Sequence, residues 1–159
     1  ITGLINAVYN KGRLTLIILD NSTTGMTGHQ QHPATGLTIK MEPTSKLNLE
    51  ALCKACGVNN VKVVDSYDIA ELEKSIKEEL EKNEVSVIIA RRPCKLLDKS
   101  KTKYYVVNDK CANCKMCLKL GCPAINAGEK SASIDTSLCV ACGLCKKVCK
   151  LNAIEEAKE

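Results

Sequence analysis

Eleven cysteines in 159 residues are the side chains best equipped for chemistry, and eight of them fall into two short runs. The first reads Cys111-x2-Cys114-x2-Cys117-x4-Cys122 and closes on Pro123; the second reads Cys139-x2-Cys142-x2-Cys145-x3-Cys149. Three thiolates at i, i+3 and i+6 let one tight loop aim all three at one face of a cubane. A fourth, a few residues further on, cannot curl back to the same cube. A structural zinc site uses two Cys-x2–4-Cys knuckles and has no use for a third cysteine three residues on. Disulfides suit an oxidising compartment, and no feature of the chain marks it for secretion. Two three-plus-one runs therefore predict iron–sulfur chemistry with two [4Fe-4S] clusters.

The paired runs resemble the two-cluster bacterial ferredoxin pattern, in which the last cysteine of each run ligates the other cluster. That resemblance assigns Cys111, Cys114, Cys117 and Cys149 to cluster I, and Cys139, Cys142, Cys145 and Cys122 to cluster II. Two departures stand out. Four residues separate Cys117 from Cys122 where the common run has three, and Lys150 stands where the second run would carry proline. The extra residue reshapes the loop between the clusters without removing a ligand. Pro123-Ala124-Ile125 and Asn152-Ala153-Ile154 complete an internal repeat, each expected to lay a small and a branched residue over a cluster. Of the other cysteines, Cys53 and Cys56 are expected as core packing, since a free thiol behaves as a small hydrophobe. Cys94, beside Arg91 and Arg92, is expected to have a structural role.

A second chemically capable stretch runs from Asp20 to Gln30: Asp-Asn-Ser-Thr-Thr-Gly-Met-Thr-Gly-His-Gln. It offers oxygen donors for a hard cation and backbone amides for phosphate. Asn21 supplies a side-chain oxygen and Thr23 a backbone carbonyl, the sparse oxygen set that Mg²⁺ completes with water and a substrate phosphate. An ordinary polar loop or another nucleotide site has the same look. His29 and Gln30 are candidate catalytic groups that orient substrate or move protons, with His32 nearby; a plain hydrogen-bonding role fits each equally well.

These groups need a scaffold. The hydrophobic fraction is 45%, yet there is no Phe or Trp and only four Tyr. The core must therefore be built from Leu, Ile, Val and Ala. The longest apolar runs are too short to span a bilayer, so no membrane association is expected. The formal charge of +5 is modest and spread out. A solvated lysine face is expected rather than nucleic-acid binding, with Lys115, Lys119, Lys146 and Lys147 available to dock an acidic electron acceptor.

A helix ends near Gly12, and Leu14–Leu19 reads as a strand buried on both faces. Leu49, Leu52, Cys53 and Cys56 mark a second helix stopped by Gly57. Val61–Val64 is the next strand. Asp68-x-x-Glu71 caps a helix striped by Ile69, Leu72, Ile76 and Leu80, and Val85–Ala90 is a third strand. This order predicts an α/β parallel sheet, followed by a small α+β module that Tyr104–Val107 leads into. The divisions expected are 1–94, a lysine-rich linker 95–103, and 104–159.

The loop, the sheet and the cysteine module in this order resemble the C-terminal part of the alpha subunit of the indolepyruvate (arylpyruvate) branch of the 2-oxoacid:ferredoxin oxidoreductases, over the whole chain. The loop resembles the second half of that family's thiamine-diphosphate motif. The resemblance implies Mg²⁺ on Asn21 and Thr23, and Gly25, Met26, Thr27 and Gly28 near the diphosphate and thiazolium. It also implies oxidative decarboxylation of a 2-oxoacid to acyl-CoA and CO₂, with coenzyme A as acyl acceptor, ferredoxin as electron acceptor and a smaller beta subunit, in the cytoplasm. The family's Gly-Asp half-motif and the glutamate that activates the cofactor ring are not identifiable here. The chain begins Ile-Thr-Gly without an initiator Met, is read as a fragment, and is not expected to turn over alone. A sibling enzyme for pyruvate or 2-oxoglutarate and a non-catalytic electron carrier are the competing readings.

Overall fold

The computed structural model describes residues 1–97 and 104–157, and the chain divides into two units between Cys94 and Lys95. The first contains α1 (Thr2–Tyr9), β1 (Leu14–Asp20), α2 (Leu49–Ala55), β2 (Asn60–Val64), α3 (Ile69–Glu81) and β3 (Val85–Arg91). The strands form a parallel sheet in the order β1-β3-β2. The apolar run of β3 is the middle strand, with every residue from Val85 to Ala90 buried. Successive strand side chains point to opposite faces. On one face Val85, Val87 and Ile89 meet Cys53 of α2 and Val58, with Leu4, Ala7 and Val8 of α1 packed against them. Cys53 belongs to this cluster, and Cys56, which caps the end of α2, is buried as well. On the other face the Ser86 hydroxyl donates to Thr15 Oγ1, and Thr15 Oγ1 donates to the backbone carbonyl of Glu79 in α3. Helices thus cover both faces of the sheet.

Two elements depart from the sequence reading. Strand β1 is an edge strand, so Leu14, Ile17 and Leu19 are exposed while Leu16 and Ile18 pack into the core. Helix α3 begins as expected, with the Asp68 side chain accepting from the Glu71 N–H at 3.2 Å, but its inward face is turned toward Ser75 and Glu79. These two are fully buried, whereas Leu80 of the expected stripe is exposed. Glu79 tolerates that position because Lys62 of β2 lies 3.0 Å from its carboxylate and Lys82 lies 2.9 Å from it. A buried charge persists only when paired.

Burial alone would raise the Glu79 pKa. The hydrogen bonds from Lys82 and Lys62 outweigh it and hold the group below the usual carboxylate value. A folded-state pKa lower than the unfolded one adds stability above the unfolded value that is lost as pH falls through the folded value. The first unit is therefore expected to lose stability on acidification below about pH 4.5, the ordinary glutamate range. The Glu79→Gln variant should be less stable at pH 7 by about 1–3 kcal/mol and show a flatter acid limb, as read by thermal melts across pH.

The second unit contains β4 (Tyr105–Val107), β5 (Ile125–Asn126), β6 (Ser133–Ile134), α4 (Leu144–Val148) and β7 (Ile154–Glu156), with 3₁₀ turns at Lys95–Leu97 and Cys117–Leu120. Strand β4 pairs antiparallel with β7, and β5 with β6. Of the stretch read as a linker, 95–97 forms the first of these turns, and 98–103 lies outside the described residues. Among the described residues no helix is long and apolar enough to cross a membrane.

Candidate functional site

The cysteine runs are positioned by a reciprocal exchange of strands. β4 leads into the first run and pairs with β7, which follows the second; β6 leads into the second run and pairs with β5, which follows the first. Matching hydrogen bonds lock the two halves. The Asn108 N–H donates to the Ala153 carbonyl and the Asp135 N–H to the Ala124 carbonyl, both at 2.8 Å. Each of these residues also starts an Asx turn: Asn108 Oδ1 accepts from the Lys110 N–H, and Asp135 Oδ1 from the Ser137 N–H. Because Cys149 lies just ahead of β7, this pairing carries it to the first run. Cys111, Cys114, Cys117 and Cys149 line one cavity, whose other walls include Val107, Ala132, Ala153 and Ile154.

Both runs bend in the same way. Positive φ occurs at Asn113 (49°) and Lys115 (60°) in the first, and at Ala141 (53°) and Gly143 (77°) in the second, the third and fifth places of each run. Such alternation curls successive backbone N–H groups toward one concavity, a setting for anions and sulfur clusters. Each non-glycine residue held there costs about 1–3 kcal/mol, strain of a kind that concentrates at ligand sites. Gly143 has a steric reason as well, since a Cβ there would stand 3.0 Å from the Tyr105 hydroxyl. Burial, followed by the negative charges of Glu156 and the second triplet, raises the Tyr105 pKa, and Tyr105 packs against the cluster that contains Cys145. Cys122 packs on the same buried cluster as Cys145.

Burial pushes the Cys145 thiol up to about 11 and raises Cys117 as well. Loading iron at these positions must displace protons. Among the described residues, no three His, Cys, Asp or Glu groups converge tightly enough to hold a single metal ion. The four sulfurs instead ring a cavity with largely apolar walls, a donor set that fits a cluster binding one thiolate at each corner.

In the first unit the polar loop leaves the carboxyl end of β1, where open parallel sheets bind ligands. Asn21 Oδ1 accepts from the Thr23 N–H at 3.2 Å, and Gly25 lies against the Asn21 amide. Asn21 and Thr23 share one cavity wall with Asp20 and His32, whose Nδ1 accepts from the Ala34 N–H. Gly25 to Gln30 are not in that wall. They form a small hairpin closed by the Thr24–Gln30 bridge, with Met26 fully exposed at its tip and the Thr27 hydroxyl donating to Gln30 Oε1. Two buried polar atoms here have no partner in the protein, Thr23 Oγ1 and His29 Nδ1. Buried polar groups are almost always satisfied, so Thr23 Oγ1, in the same wall as Asn21, suits a site completed by a ligand, whereas His29 Nδ1 lies on the hairpin outside that wall. The set fits Mg²⁺ with a diphosphate in part, supplying two neutral oxygens.

Sequence reasoning missed Arg91, Glu50 and Tyr105. Arg91 leaves a signal, a cation ending an otherwise apolar strand. It binds Asp20 at 2.8 Å and Glu50 at 2.9 Å, and these bonds, Asp20 first, raise its pKa.

Comparison with known proteins covers both units. The family model of the thiamine pyrophosphate enzyme C-terminal TPP-binding domain matches residues 1–90, and that of the 4Fe-4S binding domain matches 132–155. The chain is similar to the indolepyruvate oxidoreductase subunit IorA of Archaeoglobus fulgidus, 41% identical over 98% of this chain and 26% of the relative. IorA of Pyrococcus abyssi is 40% identical over the same shares. IorA of Methanothermobacter marburgensis is 37% identical over 96% of this chain and 25% of the relative. The chain thus spans about a quarter of the length of these relatives. No solved structure matches it.

Proposed function

The chain belongs to the thiamine pyrophosphate enzyme family, and on that premise we propose that it is part of the alpha subunit of an indolepyruvate:ferredoxin oxidoreductase. The observation that carries this reading is the shared wall of Cys111, Cys114, Cys117 and Cys149, in a chain whose first unit matches a thiamine-binding domain. Bound thiamine diphosphate supplies the electron sink for loss of CO₂ from a 2-oxoacid, and [4Fe-4S] clusters take electrons one at a time.

The residues divide that work. Asn21, through its side-chain oxygen, and Thr23, through its carbonyl, would hold a Mg²⁺ ion that carries the diphosphate. Gly25, Met26, Thr27 and Gly28, in the hairpin that follows, would approach the diphosphate and thiazolium. His29, with its buried Nδ1, would orient substrate or move a proton, and Gln30 would orient substrate. The first quartet is Cys111, Cys114, Cys117 and Cys149; the second is Cys139, Cys142, Cys145 and Cys122. The remainder of the site, the smaller beta subunit and coenzyme A complete the reaction. Indolepyruvate as substrate rests on the relatives' names.

The test is arylpyruvate-dependent CO₂ release with ferredoxin reduction in the complete enzyme, compared with pyruvate and 2-oxoglutarate. Arylpyruvate should be preferred. Preference for pyruvate would make this a sibling enzyme, and no turnover of any 2-oxoacid would leave an electron carrier.

Cys114 is exposed, and the lysines around the clusters give the acceptor a basic landing surface. Charge reversal in a Lys115→Glu/Lys119→Glu protein should slow ferredoxin reduction about tenfold at low salt. The gap should narrow as ionic strength rises and shortens the screening length. Stopped-flow rates across a salt series check this, and an unchanged rate would place docking elsewhere.

A further inference from the structure

One side chain ties together both ends of the loop that carries Asn21 and Thr23. Residues 21–48 form no helix and no strand beyond two isolated bridges, Thr24–Gln30 and Leu37–Pro43. The loop leaves the sheet after Asp20 and ends where α2 begins at Leu49. Arg91, the last residue of β3, stands opposite Asp20 in the parallel register. Its Nε donates to Asp20 Oδ2 at 2.8 Å, and its Nη1 donates to Glu50 Oε1, in the first turn of α2, at 2.9 Å. The Asp20 side chain is only 9% exposed, and its other oxygen accepts from the Ser22 N–H at the start of the loop. The backbone beyond β3 adds two bonds, from the Arg92 N–H to the Asp20 carbonyl at 3.0 Å and from the Cys94 N–H to the Asn21 carbonyl at 2.8 Å. Asp20 also lines the cavity shared by Asn21, Thr23 and His32.

We propose that Arg91 is a positioning residue for the cofactor loop, cross-linking Asp20 and Glu50 so that Asn21 and Thr23 are held ready for a Mg²⁺–diphosphate ligand. This rests on the reading of the loop as part of a thiamine site. As an ion pair alone, a partly exposed guanidinium contributes little to stability. Its value here is geometric, because a long loop must otherwise lose its end-to-end freedom when a ligand binds. The fork matters too. Asp20 and Glu50 are reached from different nitrogens of one planar group, and a lysine ammonium on its flexible stem lacks that fixed geometry.

The experiment measures thiamine diphosphate affinity at saturating Mg²⁺, and the ligand-free melting temperature, in the complete subunit. Arg91→Met should bind about ten- to a hundredfold more weakly, the cost typical of losing a group that orients ligating residues. Arg91→Lys should recover little of that affinity, and ligand-free melting should move by only a few degrees. Wild-type affinity in Arg91→Met overturns the inference. Failure of the wild type to bind overturns the thiamine reading itself, and this inference with it. If Arg91→Met does not fold, Glu50→Gln, which leaves the Asp20–Arg91 pair in place, decides the matter: weaker binding supports the cross-link, and unchanged affinity overturns it.

Discussion

Replacing Cys149 by serine is expected to strip the cluster of the first run, although Cys149 belongs by sequence to the second. The strand exchange sets this outcome. β7 pairs with β4, and so Cys149 joins Cys111, Cys114 and Cys117 around one cavity. Serine is a poor substitute for a thiolate that iron requires, so bound iron should fall by about half. The spectrum of the remaining cluster identifies which one was lost. Cys149→Ser should match Cys114→Ser in electron paramagnetic resonance and differ from Cys142→Ser. If Cys149→Ser resembled Cys142→Ser instead, each run would be holding all four of its own cysteines.

The largest loss of stability is expected in the middle strand. Ile89 is fully buried between β1 and β2, opposite Ile18 on one side and Val63 on the other. Truncation to alanine removes its contacts with the packed cluster of Val85, Val87 and Cys53 and leaves a cavity, at a cost of about 2–5 kcal/mol. A domain the size of Ile1–Cys94 has only about 5–15 kcal/mol in total, so Ile89→Ala brings the unit close to unfolding. Leu19→Ala supplies the contrast. That side chain is 77% exposed on the edge strand, and its loss should change stability by no more than about 0.5 kcal/mol. Urea unfolding of the two variants checks both values, and similar midpoints would contradict the sheet order.

How far the sequence could be read follows from the range of the forces involved. Val85–Ala90 is readable as a strand because the apolar run Val87–Ala90 needs cover on both faces. Asp68 and Glu71 mark the start of α3 because a cap is a local bond. Leu14–Leu19 carries an equally apolar run yet lies at an edge, since strand order depends on partners distant in sequence. The burial of Glu79 is invisible to a hydrophobic stripe, because it depends on Lys62 from a neighbouring strand. In the cysteine module the spacing within each run is local and legible. Strands as short as Ile125–Asn126 and Ser133–Ile134 leave no pattern to read, and their pairing appears only in three dimensions. The Arg91 cross-link is hidden for a similar reason, since it depends on the parallel register that sets Arg91 beside Asp20.

The strand exchange also governs the order of assembly. As the polypeptide emerges from the ribosome, the first run is made well before the residue that completes its quartet, and β4 has no partner until β7 is synthesised. On the proposed ligand assignment, iron delivery to the first quartet would have to wait for the far strand. A nick between β5 and β6 would leave fragments that still need each other, like clasped hands, so limited proteolysis there should cut the backbone without releasing iron.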